Sequence, residues 1–439
     1  MPKKSKKPKI FFGWWTVFAG GLLALWGHGF HAYGISALFK PIATELGFNR
    51  TLTSVAASIG RLEGGFEGPL AGWITDKFGP KWIVFIGAAV IGVSLVLMSV
   101  IQSLWHFYIV WGLLLGTGVN IALAIPLDTA ISNWFVKKRG TALSIKWLFS
   151  GLSGVLVMPL IAWLITTIGW RKACLTGGIV MLIVGLPLVL LCFRSRRPEY
   201  YGMLPDGGTA EGEDLDEEAM IKRGIEYAAE TSEIEFTIRQ AIVTLPFWLL
   251  IAVHAVHGLV APAINIHCIP FLTDRGIDQT VAAGMMAVMI AASIPGRLFG
   301  GYIADRLSTK RLPWSMAFAY FCQSIGIHVF LMFNSVISIY AWFILYGIGM
   351  GMALPINTAI RARFFGRKAL GTVIGTSMML ITPVGVVAPI YAGWMYDTTG
   401  SYQTAFIVFT VLLYISAALL LFLHPPKPPE EITDIRKIT

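Results

Sequence analysis

This sequence is short of charge. Only 13% of its 439 residues are Asp, Glu, Lys or Arg, while 56% are hydrophobic; soluble globular chains carry about 25% charged residues. Cysteine is scarce too. Cys174, Cys192, Cys268 and Cys322 all fall in apolar stretches and none forms a CxxC pair, so they read as small core residues rather than disulfides or metal ligands. There is no nucleotide-binding loop, no catalytic-triad context and no metalloenzyme motif, so an enzyme is not expected, and nothing calls for a cofactor or a bound metal. Net charge is +10, yet the basic residues sit between apolar segments rather than on one face, which argues against a nucleic-acid partner. The basic start MPKKSKKPK is not a cleavable signal: the apolar stretch Phe11 to Phe39 is too long for a signal core and lacks a cleavage site.

Apolar segments are what the chain has in abundance. Twelve spans recur, with cores at 12–38, 52–75, 82–101, 105–132, 141–168, 173–193, 244–272, 280–304, 313–333, 337–360, 370–396 and 402–423. About 20 helical residues cover the hydrocarbon core of a bilayer, so each is long enough to cross. Prolines inside the spans (Pro126, Pro159, Pro262, Pro295, Pro355) are tolerated in membrane helices as kinks. The expected class is an all-α, multi-pass membrane protein.

Residues 194–241 break the pattern. Arg194 to Pro198 is basic, Asp206 to Glu218 is Gly-rich and acidic, and the remainder has room for a short surface helix. The expected organisation is a basic tail at 1–10, a six-helix bundle at 11–193, a linker at 194–241, a second bundle at 242–424 and a tail at 425–439. Basic residues concentrate in alternate connections: Lys77 and Lys81, Lys137 to Arg139, Arg194 to Arg197, Arg306 to Arg311, and Arg361 to Lys368. The positive-inside rule then puts both termini and the linker in the cytoplasm of a cell whose plasma membrane holds the protein.

The halves echo each other. Span 2 runs into Gly72-x-x-x-Asp76-Lys77-x-Gly79-x-Lys81, and span 8 into Gly301-x-x-x-Asp305-Arg306-x-x-x-Lys310-Arg311. Phe135 to Thr141 precedes span 5 as Phe365 to Thr372 precedes span 11, and His28 and His257 each lie nineteen residues before a glycine, Gly47 and Gly276. Parallel six-span repeats place a substrate site between halves, near the midplane.

The Gly72–Lys81 motif resembles the loop signature of the major facilitator superfamily, with a weaker copy after span 8. The resemblance implies two pseudo-symmetric six-helix bundles. It also implies that Gly72, Asp76, Lys77, Gly79 and Lys81, with Asp305 and Arg306 as counterparts, form a gate that holds neighbouring helix ends together. A narrower resemblance is to the monocarboxylate transporter and oxalate:formate antiporter branch. It rests on Gly13-Trp14-Trp15 with Gly34, Phe39, Glu45 and Gly47, on Trp134-Phe135-x-Lys137-Lys138-Arg139-Gly140, on His267-x-x-Pro270-Phe271-x-x-Asp274-x-Gly276, and on Arg297 eight residues before Asp305. Arg297 then aligns with that branch's helix 8 arginine. Three departures stand beside it. Ser293 occupies the position of an aspartate four residues earlier, Tyr33 falls near a helix 1 lysine, and no lysine lies in 372–396.

Arg297 lies within an otherwise apolar span, where a charge is expensive and functional by default. A guanidinium grips a carboxylate through two parallel hydrogen bonds, so Arg297 is the expected anion ligand; the alternative is an ion pair with Glu63, Glu67 or Asp128. Lys146 is either a second cation at the site or a stem reaching the interface. Tyr33, Tyr346, Asn120 and Asn265 are expected to contribute polar contacts. Glu63 and Glu67 share a helix face, and one of two such carboxylates in an apolar site can carry a proton. The alternative is a buried network with Arg61. Asp128, His28 and His257 are further proton-coupling candidates. For Asp128 the alternative is a salt bridge with Lys146 or Arg61, and for the histidines plain hydrogen bonding across helices.

The expected activity is secondary transport of a small organic anion, a carboxylate by preference, by rocking of the two halves, with a proton as co-substrate. The expected partners are the anion, the proton and the lipid bilayer, and a single copy is expected to suffice. Alternatives are exchange of one anion for another, efflux of cationic or lipophilic compounds, and a sensor on the same scaffold.

Overall fold

Apolar backbone in a bilayer must satisfy its own hydrogen bonds, and helices do so within one segment. The computed structural model describes residues 10–47, 50–208, 216–230, 234–333 and 335–428, without the side chains of 36, 39, 40, 43, 50–63, 279, 280, 283, 386 and 389. Among these residues twelve spanning helices are present, here α1 (12–46), α2 (Arg50–Phe78), α3 (Pro80–Met98), α4 (Leu104–Trp134), α5 (Arg139–Ile168) and α6 (Trp170–Cys192), followed by α7 (Leu245–Thr273), α8 (Gln279–Arg306), α9 (Leu312–Met332), α10 (Val336–Phe365), α11 (Leu370–Thr399) and α12 (Gln403–Leu421). Ten of them are long and apolar enough to cross a membrane. The other two are α1, broken into shorter pieces, and α2, the span richest in charge.

Several spans are not regular α-helix throughout. Wider π turns interrupt α1 at Gly29–Tyr33, α4 at Tyr108–Leu115 and α6 at Met181–Gly185. Such turns concentrate at functional sites. In α4 the ladder breaks at Ala124 (φ −91°, ψ −107°), two residues before Pro126, whose ring nitrogen has no hydrogen to donate. Gly79 starts α3 at φ +83°, a conformation that favours glycine, and a side chain there would run into the backbone of Ser195.

The start of α1, the end of α12 and the linker share one face of the bundle, the linker face. The Phe11 ring lies 5.6 Å from Trp134 at the end of α4. Trp314 at the start of α9 donates to the carbonyl of Leu421 at the end of α12 (3.2 Å). Among its described residues the linker forms a helix at Glu217–Ala229, a short one at Ile238–Ile242 and two 3-10 turns before them, and it docks on both halves. Asp206 accepts from the backbone N–H groups of Val136, Lys137 and Lys138 at 3.1, 2.8 and 2.9 Å. A buried ion pair joins Glu199 to Arg367 at 2.9 Å, and Phe236 N–H donates to Phe365 at 3.0 Å.

The first half packs around one apolar core that includes Val17, Leu23, Phe30, Trp111 and Trp134. The second half has two, one nearer the linker face around Tyr320 and Ile356 and one beyond it around Phe271 and Trp342. A small cluster of Ile125, Ala362, Leu370 and Ile374 crosses between the halves. Large apolar side chains such as Trp15, Trp105, Trp163, Trp248 and Trp394 point outward, as a surface solvated by lipid requires.

Candidate functional site

The approach of the halves is set by glycine. A Cβ on Gly68 of α2 would lie 2.8 Å from the Gly375 carbonyl of α11, and one on Gly72 would run into the backbone of Gly371. Gly140 of α5 and Gly301 of α8 abut in the same way. These two contacts are pseudo-symmetric, and each is closed by a carboxylate. Asp76 accepts from Gly371 N–H (3.0 Å), Thr372 N–H (2.7 Å) and the Thr372 hydroxyl (2.7 Å) at the start of α11. Asp305 accepts from Gly140 N–H (2.5 Å) and Thr141 N–H (2.8 Å) at the start of α5. A carboxylate there meets free N–H groups and the positive end of the helix dipole. Around them, Lys77 lies over the Trp73 and Phe78 rings, Lys81 donates to the Leu190 carbonyl and Arg306 lies over Tyr302.

Arg297 is 4% exposed. It lies nine residues before the end of α8, roughly 13 Å up from the linker face at 1.5 Å per residue. Its Nη1 donates to the backbone carbonyl of Trp147 on α5, Tyr33 interacts with its guanidinium, and Nε is buried without a partner among the described residues. Two glycines of α5 make the room. A Cβ on Gly151 would lie 2.5 Å from Arg297 Nη1, and one on Gly154 would lie 3.1 Å from the Tyr33 ring.

Lys146 and Asp128 form a buried ion pair at 2.9 Å, the lysine side chain 0% and the aspartate side chain 9% exposed. The ammonium lies 3.6 Å from the Trp147 ring centroid. Asp128 also accepts from Thr358 of α10 at 3.0 Å. Aligning Phe135 with Phe365 makes Asp128 and Thr358 equivalent positions, so this bond sits on the pseudo-twofold axis between the halves. Lys146 therefore turns inward to Asp128 and does not reach for the interface.

Of the two glutamates of α2, Glu67 accepts from Thr117 (2.7 Å), and its other oxygen is buried without a partner among the described residues. The side chains of Glu63 and Arg61 lie outside the described residues. His28 Nδ1 meets Ser150 of α5 at 2.8 Å, whereas His31 stacks on Trp111 of α4 at 6.2 Å. The sequence spacing puts both histidines on one face; the π turn that begins at Gly29 separates them. His254 and His257 do stack, at 5.8 Å, and His257 bonds Gln323 at 3.1 Å. Asn120 lies against Gly64. Asn265 is exposed. Tyr346 is 1% exposed inside the apolar cluster around Trp342, its hydroxyl without a protein partner.

Outside the spans, the exposed Lys137–Glu230 pair has shifted ionisation. A hydrogen bond from Lys137 holds the Glu230 carboxyl below its ordinary range, and Glu230 raises Lys137 in return.

Sequence reasoning missed the partners more than the charges. The Trp147 carbonyl, Ser150 and Thr117 carry no signal in a single sequence. Thr358 did carry one, since the internal repeat pairs it with Asp128.

A sequence profile described as the Major Facilitator Superfamily matches residues 21–389 and 324–438. Monocarboxylate transporter 13 of Bos taurus is 22% identical over 98% of this chain and 96% of its own length. The probable sulfoacetate transporter SauU of Cupriavidus necator is 26% identical over 84% of each chain. Among solved structures, the proton:xylose symporter XylE bound to 6-bromo-6-deoxy-D-glucose superposes with a TM-score of 0.67 at 13% identity, covering 93% of this chain and 95% of that one.

Proposed function

The chain belongs to the major facilitator superfamily, and from that membership we propose that it carries a small carboxylate across the membrane by alternating access, with Arg297 as the anion ligand. It is a multi-pass transporter related to monocarboxylate and sulfoacetate transporters rather than an enzyme. One observation carries the anion reading. Arg297 is a buried cation whose described hydrogen bond goes to a backbone carbonyl, while the described acids nearby, Glu67 and Asp128, are bonded elsewhere. A guanidinium in that setting keeps its affinity for an incoming carboxylate. Tyr33 and Lys146, on either side, add a hydroxyl and a second positive charge.

The linker face is cytoplasmic in this reading, because the Lys- and Arg-rich connections lie on it. The capped, glycine-packed ends of α2, α5, α8 and α11 are its closed gate. The cargo then enters from the opposite side and leaves past the gate when the halves rock.

Proton coupling works through Asp128. As a carboxylate it holds Lys146 within the first half and Thr358 across the axis; protonation weakens both bonds at once. The gate then opens more readily, and Lys146 is released toward the anion. The test is uptake of labelled lactate, formate, oxalate and sulfoacetate by proteoliposomes, with and without an inward proton gradient. Symport requires that the gradient drive accumulation and that Asp128→Asn abolish that drive. Uptake that ignores the gradient but responds to internal anion identifies exchange instead. Drug-resistance changes on deletion, with no acid taken up, identify efflux of other compounds.

A further inference from the structure

Another buried cation lies closer to the linker face, in a polar cluster shared by α7, α9 and α10. Arg361 is 1% exposed, and among the described residues no carboxylate faces it. Its Nη1 donates to Asn357 Oδ1 one turn earlier, and its Nη2 has no protein partner. With Oδ1 occupied, the Asn357 amide nitrogen faces His254 Nε2 at 3.3 Å. Nε2 must then accept, which assigns the ring proton to Nδ1. That Nδ1 is also buried and unpartnered. The Tyr320 hydroxyl, on a side chain 0% exposed, is the third. The ring of Tyr320 stacks on His257 at 5.4 Å, His257 stacks on His254, and the Arg361 guanidinium is within electrostatic range of both Tyr320 and His254.

The cluster therefore holds three buried donors, Arg361 Nη2, His254 Nδ1 and the Tyr320 hydroxyl, with no acceptor among the described residues. Unpaired buried donors and an uncompensated buried charge are both costly. A membrane protein that keeps them at depth keeps them for a function. Their chemical complement is an oxygen-rich anion.

The position fits a transport route. Arg361 is four residues before the end of α10, roughly 6 Å from the linker face, against roughly 13 Å for Arg297. Thr358, one turn from Arg361 on the same helix, holds Asp128 on the axis. When the halves part there, this side of α10 borders the opening.

We propose that Arg361, His254 and Tyr320 form a second anion site for one carboxylate group, which takes the cargo after Arg297 and before release at the linker face. The inference rests on the reading of the chain as an anion transporter. A site reached only through the open gate leaves loading from the opposite side untouched and controls passage and release.

The test uses proteoliposomes and the acid, among labelled lactate, formate, oxalate and sulfoacetate, that the wild type takes up best. Arg361→Gln is expected to slow flux at least tenfold and to raise the half-saturating concentration on the linker side at least fivefold. Half-saturation on the opposite side should change less than twofold. Arg297→Gln, by contrast, should abolish uptake from either side. Equal loss on both sides, or wild-type flux, in Arg361→Gln overturns the second site. Should that variant fold poorly, the isosteric Tyr320→Phe decides, with the same one-sided change of threefold or more expected. If the wild type takes up none of the acids, the transport reading fails separately. Thermal stability in acetate against chloride at equal ionic strength then judges the second site: stabilisation by acetate in the wild type that is lost in Arg361→Gln upholds a carboxylate site, and equal responses overturn it.

Discussion

At the scale of single residues, the buried charges of this chain sort by what meets them. Lys146 meets Asp128 in a buried ion pair at 2.9 Å. Breaking a buried pair from one side strands a charge and costs about 3–5 kcal/mol. Lys146→Met should therefore lower the unfolding temperature sharply, and Lys146→Met combined with Asp128→Asn should recover most of it. Equal damage from the single and double variants, followed by thermal unfolding in detergent, would show that the pair carries no mutual stabilisation. Arg297 meets a carbonyl and a phenol ring instead. That contrast is what supports proposing it as the ligand. Arg297 was legible in the sequence because a lone arginine in an apolar span is rare. Arg361 was legible only as one basic residue in a cytoplasmic-type cluster, since its burial depends on α7 and α9 wrapping it.

At the scale of helices, small residues decide geometry. Gly151 leaves the space Arg297 occupies. Gly151→Val should lower acid uptake at least tenfold while leaving the protein folded, as judged by size-exclusion profile and unfolding temperature. Uptake at the wild-type rate would mean the arginine does not need that gap. The paired caps work the same way at the gate. Asp76 closes the start of α11 with three hydrogen bonds, and charge-assisted bonds of this kind contribute about 1.5–3 kcal/mol each. Asp76→Asn keeps the shape and loses the charge. It should open the linker face more often, so a cysteine placed by Thr358→Cys should react several-fold faster with a thiol reagent added from the linker side. The twelve helices and the two caps were readable from sequence, because apolar length and the repeated Gly-x-x-x-Asp motif are local signals. The π turns were not. Nothing in the run GFHAY distinguishes an i→i+5 turn from ordinary helix, and that turn is what sends His28 to α5 and His31 to α4.

At the scale of the whole molecule, the linker ties the two halves together on one face. Its strongest contact is the Glu199–Arg367 pair, 3% and 1% exposed. Glu199→Ala removes the carboxylate that meets the buried Arg367 and should cost about 3–5 kcal/mol of stability. The exposed Lys137–Glu230 pair is different. Glu230 is lowered by its lysine, so its contribution is present above the ordinary glutamate range and is lost as pH falls through the lowered value. Lys137 is raised, so its share is lost only as pH climbs past its raised value. Linker docking should thus be insensitive to pH across the neutral range and loosen only in acid or in strong alkali. Hydrogen exchange of residues 217–229, corrected for intrinsic rates, should show it. A pH response of transport near neutrality must then arise in the spans rather than in the linker. None of these linker contacts could be read from an acidic, glycine-rich segment, because each depends on where both halves come to rest.

The central claim is that Arg297 binds the cargo anion. The most direct measurement is uptake of labelled lactate, formate, oxalate and sulfoacetate by reconstituted protein beside Arg297→Gln and Arg297→Lys. The account predicts that at least one acid is taken up, that Arg297→Gln lowers its uptake at least a hundredfold, and that Arg297→Lys restores a minor part through charge without the bidentate grip. Uptake of an acid that survives Arg297→Gln unchanged would contradict it.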